Sequence, residues 1–459
     1  MSMQSIKFSY RKYIAVIALQ IVMVMTVLDV TLVNVALPVL ADNFHISSSS
    51  VVWVVTIYQL IITMLLLPVS SIGDLHSYKR TFLIGVVIFT SASALCAVSS
   101  SFTMLVVLRA VQGVGAACVM GVNIALVRLI YPREILGRGM AVNAMCIAIA
   151  TAAGPTIAGA ILSVATWHWL FLINVPLGIT AFFIGWKLLP QNPAVDHKPR
   201  FDRVSAVENM IVFGLIFYSL GNFTRKGDVV LSGVLLIISL FIGYFYVRRQ
   251  FKHEQPLLPV DLFNNSMYTM SIMTSVCSFM AQNITMIALP FIYLNSYHFS
   301  TITTGLLMTP WPLATMIVSP IAARFVERHN PGVTAAVGMG VFVVGVLLLL
   351  YTGSSPAEWN IAWRMAICGV GFGMFQTPNN IVMVMAPPMH RTGGAGGVQS
   401  TARLVGQTLG ATLVSSIFAI IANELNAVHF CLYFSIGFAL CAGVFSYTRT
   451  LGHKSELHL

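Results

Sequence analysis

Fourteen stretches of roughly 20 mainly apolar residues, joined by short polar connections, take up almost the whole chain. A helix needs about 20 residues to cross the hydrocarbon of a bilayer, since each residue advances it by about 1.5 Å. Backbone N–H and C=O groups in hydrocarbon must find partners within the protein, which makes the helix the natural form of such a run. The runs lie near 13–38, 51–72, 81–99, 103–127, 139–162, 169–188, 205–221, 229–247, 267–294, 303–323, 333–351, 361–385, 397–421 and 429–447. The chain therefore reads as an all-α polytopic membrane protein with fourteen transmembrane helices. Only 8% of its residues are charged, against about 25% in a soluble domain. The first run is too long for the core of a cleaved signal and reads as a retained helix.

The basic residues test the helix count. With the N-terminus placed in the cytoplasm, twenty of the 25 lysines and arginines fall on the cytoplasmic connections. Only Arg225 and Lys226 fall on the outer ones, and Arg109, Arg364 and Arg403 lie within runs. One missed helix would invert this bias downstream, so it supports an even count with both termini cytoplasmic. The net charge of +11 is thus a topology signal, and a nucleic-acid partner is not expected.

The seven cysteines (Cys96, Cys118, Cys146, Cys277, Cys368, Cys431 and Cys441) all sit in apolar runs and form no CxxC pair. They read as small buried hydrophobes, with neither a disulfide frame nor a metal site. No P-loop, GxGxxG or HExxH motif is present. The expectation is a non-enzymatic protein without cofactor or metal, energised by an ion gradient.

A repeat is faintly visible. SSIGDLHSYKR (70–80) and AARFVERHNPG (322–332) each put an acid, Asp74 or Glu327, at the cytoplasmic end of a run with basic residues close after it. This divides the chain into a six-helix bundle over 1–188, a linker with two inserted helices over 189–265 and a second bundle over 266–459, with a substrate path between the bundles.

Asp29 is read as the one acid inside a run. It lies nine residues before Pro38, about 13 Å below the outer end of its helix. An ionised group at that depth costs about 3 kcal/mol or more, so it points to function and needs a named partner. Arg109, eight residues after Ser101, lies at a similar depth of about 12 Å. Burial opposes the carboxylate's charge and a guanidinium favours it, so movement of one helix would switch the balance. A purely structural ion pair, or an arginine reaching out to the bilayer surface, is the alternative. Gly154 and Gly159, among small neighbours, leave one face of the fifth helix nearly free of bulk, and Pro155 bends it. Plain helix packing would use the same residues.

Several stretches carry a resemblance. LDVTLVNVALP (28–38), GDLHSYKR (73–80), LVVLRAVQGVGAA (105–117), ATAAGPTIAG (150–159) and WHWLFLINVPLG (167–178) are similar to motifs of the major facilitator superfamily, in its 14-helix drug:proton antiporter branch. PLLPVDLF (256–263) and GLLMTPWPLA (305–314) match more loosely. The resemblance implies proton coupling through Asp29 and Arg109, with Gln112 lining the interior. It implies a gate at Gly154, Pro155 and Gly159 that keeps an antiporter from leaking. It also implies a latch in which Asp74, beside Lys79 and Arg80, holds basic groups of a neighbouring helix. Ser70, Ser77 and Tyr78 depart from that loop pattern, which expects two glycines and a basic residue.

Candidates for the substrate path are Asn34, Tyr58, Gln59, Gln112, Gln282, Trp311, Gln376, Asn379, Asn380 and Arg403. The amides of the twelfth helix would coordinate a substrate or bond neighbouring helices. Met267, Met270, Met273, Met280 and Met286 suit an adaptable pocket, but ordinary lipid-facing packing is the better reading of them. The resulting expectation is a monomeric, proton-coupled exporter of small amphipathic or cationic compounds in a bacterial cytoplasmic (inner) membrane. An organic-anion carrier, motivated by three intramembrane arginines, and a non-transporting sensor or scaffold are the rivals.

Overall fold

The computed structural model describes residues 10–132, 135–192, 201–223, 228–252, 256–353, 356–385 and 392–456. For 10–11, 392–395 and 451–456 it describes the backbone alone. Of the basic residues counted above, Lys7, Arg133, Lys198, Arg200, Arg225, Lys226 and Arg391 lie outside the described residues. Every regular element described is helical. The long helices are α1 (Tyr10–Phe44), α2 (Trp53–Leu75), α3 (Tyr78–Cys96), α4 (Phe102–Ile130), α5 (Leu136–Val164), α6 (Asn174–Leu188) and α7 (Arg203–Asn222). They continue as α8 (Val229–Gln250), α9 (Ser266–Phe291), α10 (Pro310–Val326), α11 (Pro331–Leu350), α12 (Glu358–Met385), α13 (Thr392–Ile420) and α14 (Glu424–Glu456). Short helices, Ser48–Val51, His168–Leu172 and Thr301–Met308, lead into α2, α6 and α10. Thirteen spans among the described residues are long and apolar enough to cross a membrane. The fourteenth helix, α12, is 28 residues long and is made less apolar by Arg364, Gln376, Asn379 and Asn380.

Local chemistry sets the helix starts. Ser77 accepts from the Arg80 amide (3.3 Å), Ser101 from Met104 (3.2 Å), Asp202 from Ser205 (3.0 Å) and Asn265 from Tyr268 (3.2 Å). Each satisfies an amide that the helix itself leaves unpaired. Helix α1 does not stop at Pro38 as its apolar run does, but continues to Phe44. A proline late in a helix loses one hydrogen bond without ending it when the flanking turns are packed.

The repeat is far clearer in the packing than in the sequence. In the first six helices the main contacts are α3 with α4, α2 with α4, α1 with α5, α1 with α6 and α3 with α6. Eight helices later the same pairs recur: α11 with α12, α10 with α12, α9 with α13, α9 with α14 and α11 with α14. A Cβ on Gly115 would sit 2.5 Å from the Phe89 amide nitrogen, and one on Gly371 would collide likewise with that of Phe342. Association in a membrane rests on such close packing. The chain also leaves α1 and α9 alike: Phe44-His45-Ile46-Ser47 and Tyr297-His298-Phe299-Ser300 each contain a left-handed histidine (φ 52° and 55°) and then a helix-capping serine.

Helices α7 and α8 pack on each other, and α7 alone rests on α2 and α13. Asn209 of α7 donates to the Met64 carbonyl of α2 (2.8 Å). Two expectations are corrected here. Asp29 is not the only acid within a span: Glu208 lies in α7, half-buried, with Oε2 buried and unpartnered. Arg449, counted as a loop residue, is buried in α14. Its Nη1 donates to Ser271 (2.8 Å) and Asn379 (2.7 Å), contacts that extend the helix past the end of its apolar run.

The two sets of helices meet on the face opposite the termini. There Ser48 donates to Glu424 (3.1 Å), Ser415 to the Ser49 carbonyl (2.8 Å), and Asn295 to Glu424 (3.0 Å). Beneath these bonds one apolar core draws on both sets, including Leu32, Val54 and Phe171 from the first and Phe279, Ile287 and Trp311 from the second.

Candidate functional site

Asp29 and Arg109 form an ion pair with no solvent exposure on either side chain. Helix α1 supplies the carboxylate and α4 the guanidinium, whose Nη1 donates to Asp29 Oδ2 and to Gln112 Oε1 (2.6 Å). Gln112, three residues on and so on the same face of α4, donates from Nε2 to Asp29 Oδ1 (2.8 Å) and to Ser93 Oγ of α3 (2.6 Å). Asn174 at the start of α6 donates to Asp29 Oδ1 (3.1 Å) and to Ser93 Oγ (3.3 Å). Arg109 Nε donates to the Val54 carbonyl (3.1 Å), and its Cζ lies 4.2 Å from the centre of the Tyr58 ring. Arg109 is thus held inward and does not reach for the bilayer surface.

The carboxylate therefore accepts from three side chains on two helices, with one formal charge opposite it. Charge-assisted bonds of this kind are strong in a low-dielectric interior, and removing either ion would leave the other stranded. The arrangement also stores an imbalance. Arg109 Nη2, Tyr58 Oη and Asn174 Oδ1 are buried without hydrogen-bond partners, so a rearranged or protonated network has groups ready to re-pair.

Ser93 and Asn174 were not singled out from the sequence. Asn174 stands in the quoted stretch WHWLFLINVPLG, but nothing in its neighbours marks it as a partner of a residue 145 positions away. Among the described residues the second set of helices has no such pair. The close glycines Gly113 and Gly115 of α4 correspond to Gly369 and Gly371 of α12, both pressed on the preceding helices in the same way. That register puts the buried Met365 where α4 has Arg109.

The small residues of α5 meet both sets. Gly154 fits against Thr31 of α1. A Cβ on Gly159 would lie 2.6 Å from the Thr301 carbonyl, and one on Gly305 would strike the Pro155 carbonyl. Thr156 and Thr309 hydroxyls lie 2.6 Å apart beside them. The expected latch differs from expectation. Among the described residues Asp74 has no ion pair, and accepts instead from Tyr78 Oη (2.6 Å). The tyrosine is four residues on, at the start of α3 beyond the helix break at His76 and Ser77, and occupies the position of the missing basic residue. Lys79 is half-buried, and the exposed Arg80 borders an apolar groove between α3 and α6.

The path candidates separate by what their side chains touch. Asn379 is structural, donating to Ser275 Oγ (2.8 Å) and accepting from Arg449. Trp311 is core, 5.2 Å from the Phe342 ring, while Tyr58 and Gln112 belong to the Asp29 network. Gln59 is buried with both amide atoms unpartnered, and Asn34 with its Oδ1 unpartnered. Gln282, Gln376, Asn380 and Arg403 are half-buried.

Two sets of similarly paired helices, the first enclosing a buried charge network, make up a polytopic membrane protein. The Major Facilitator Superfamily profile matches residues 19–411, and the chain belongs to that family. It is 44% identical over 448 residues, 97% of each chain, to the Uncharacterized transporter YebQ of Escherichia coli (strain K12). It is 30% identical to the Riboflavin transporter RibZ of Clostridioides difficile (strain 630), over 89% of each chain. It is 28% identical to the Multidrug efflux pump LfrA of Mycolicibacterium smegmatis, over 89% of this chain and 81% of that one. A crystal structure of a POT family transporter superposes with a TM-score of 0.69 at 14% identity, over 95% of this chain and 96% of that one, a likeness of fold.

Proposed function

We propose that the protein is a proton-coupled antiporter that exports small amphipathic compounds across a bacterial cytoplasmic membrane, working as a monomer with both termini in the cytoplasm. The observation that carries the reading is the Asp29–Arg109 pair, a fully buried carboxylate with a single cation against it. Intramembrane ionisable groups are costly and mark proton relays. The efflux function of relatives such as LfrA supports the direction of transport.

In this reading a proton from outside neutralises Asp29 and releases Arg109, whose guanidinium turns to the partners left free around it. Helices α1 and α4 then shift against one another, and Gly159 and Gly305 let the two bundles part and close without a bulky side chain between them. Release of the proton to the cytoplasm restores the pair. Asp29 acts through the network and not as a direct countercharge for substrate, because its oxygens are already taken by Arg109, Gln112 and Asn174. That removes the basis for expecting cations in particular.

The test is proton movement in proteoliposomes with an internal pH-sensitive dye, on adding ethidium or fluorescein. Wild type is expected to move protons with at least one probe, and Asp29→Asn to lose that response. Probe-driven proton movement that survives in Asp29→Asn refutes the assignment.

A further inference from the structure

We infer that Arg403 is the anion-recognising group of the transport path, and that the protein favours amphipathic organic anions (carboxylates, sulfonates or phosphates) over cations. The inference rests on the export reading above and specifies its substrate class. Arg403 is eleven residues past the start of α13 and inside the span Gly396–Ile420. Its contrast with the other intramembrane arginines is sharp. Arg109 is paired with Asp29. Arg449 bonds Ser271 and Asn379, and Arg364 bonds the Leu348 carbonyl (2.6 Å) and Thr352 (3.0 Å). Among the described residues Arg403 has no hydrogen bond or ion pair, and its Nε is buried.

The neighbours of Arg403 fix the direction in which it points. Leu404 packs into the apolar core of the first bundle, and Thr408 Oγ1 lies 3.4 Å from Thr63 of α2. Gly406 and Gly410 fit against Val276, Met280 and Asn283 of α9. Thr412 and Ser416 face α7. At about 100° per residue, Arg403 falls between the α2 and α9 sectors and away from α7, on the seam between the two bundles. Val414, on the same side, is buried in the core both bundles share.

No acid answers it. Asp29 is consumed by its network. Glu208 lies four residues before Val212, which accepts from Ser239 of α8, so it shares the α8-facing side of α7. Glu424 is bonded to Ser48 and Asn295. A half-buried guanidinium with no protein acceptor recruits one from a ligand, and a planar oxyanion suits its fork.

A second polar group lies along the same seam. Gln59 of α2, buried with both amide atoms unpartnered, lies one turn from Thr63, while Arg403 lies five residues from Thr408 in the opposite direction. Helices α2 and α13 run antiparallel, since Ser49 meets Ser415 and Leu67 meets Gly397. The two groups are thus separated by about 13 Å along the path. That span suits an aromatic amphipath with an oxyanion at one end and hydrogen-bonding atoms at the other.

The test is equilibrium binding to purified protein in nanodiscs of zwitterionic lipid, using two xanthene dyes of similar body, anionic fluorescein and cationic rhodamine 6G. Wild type is expected to bind fluorescein more tightly. Arg403→Gln should weaken fluorescein about tenfold or more and leave rhodamine 6G within about twofold, with Arg403→Lys intermediate. Thermal melting of each variant identifies misfolding, and Arg403→Lys keeps the comparison open if Arg403→Gln does not fold. A wild type without preference for fluorescein, or variants that weaken both dyes equally, overturns the inference. Binding needs no proton gradient, so the result stands apart from the antiport reading: retained proton movement in Asp29→Asn would sink only that reading.

Discussion

Replacing Asp29 and Arg109 singly and together separates what the pair does for stability from what it does for transport. Asp29→Asn leaves the Arg109 charge at zero exposure with a neutral partner. Whichever way the new amide turns, its NH2 meets either Arg109 or the donors from Gln112 and Asn174. Losing one member of a buried pair costs about 3–5 kcal/mol, and the remaining bonds of Arg109 to Val54 and Gln112 place the loss at the lower end, about 3 kcal/mol. Arg109→Met strands the carboxylate and is expected to cost at least as much. Methionine is the residue that the second bundle carries in the corresponding position, Met365, so its volume suits such a site. The double variant buries no charge, and replacing a buried pair by apolar or neutral groups is often close to neutral. It is therefore expected to be more stable than either single variant by about 2 kcal/mol or more, while remaining without proton coupling. Denaturant midpoints in mixed micelles give the cycle, and the dye-loaded proteoliposomes give the coupling. Additive losses within about 0.5 kcal/mol would show that the two residues do not act as a pair. A double variant that still moves protons would refute their role in transport.

Two further outcomes follow from the packing. Asn379→Leu removes the Arg449 acceptor inside the second bundle and is expected to destabilise by about 2 kcal/mol, with binding by the folded fraction unchanged; altered dye affinity per folded molecule would place Asn379 in the path instead. Gly159→Leu puts bulk where α5 meets Gly305 and is expected to hold the bundles apart on the face opposite the termini. A cysteine introduced at Ser48 should then react with a membrane-impermeant maleimide several-fold faster than in the glycine background, and equal rates would remove the gate from this contact.

Helix number and order were legible because hydrocarbon imposes length and apolarity on each run separately. Helix ends were less so: α1 runs on through Asp42 and Asn43 to Phe44, and α14 draws Arg449 inside, because tertiary partners decide whether a polar residue is part of a helix or beyond it. Asp29 and Arg109 could be read from cost alone, since a charge in a span needs a reason. Ser93 and Asn174 carry no such cost on their own, and only the fold brings α3 and α6 to the same carboxylate. In the structure Asp74 accepts instead from Tyr78 at the start of the next helix, where the loop pattern expects a basic residue. The repeat was faint in the loops because it is written in backbone approach, as at Gly115 and Gly371, and side chains around those glycines have diverged.

The lack of a counterpart to the Asp29–Arg109 pair among the described residues of α9 to α14, with Met365 in the place of Arg109, bears on how the carrier responds to membrane voltage. Under the proposed coupling, one carboxylate would admit one proton per cycle through this network. Exchange of that proton for a monocation would carry no net charge across the bilayer. Exchange for a monoanion carries a proton inward and a negative charge outward, which adds two positive charges to the inside on every turnover. At 100 mV, negative inside, each charge is worth about 2.3 kcal/mol, so such a cycle would draw about 4.6 kcal/mol from the potential alone. A single asymmetric charge in a duplicated scaffold would make this carrier a current source whose output depends on the sign of its cargo.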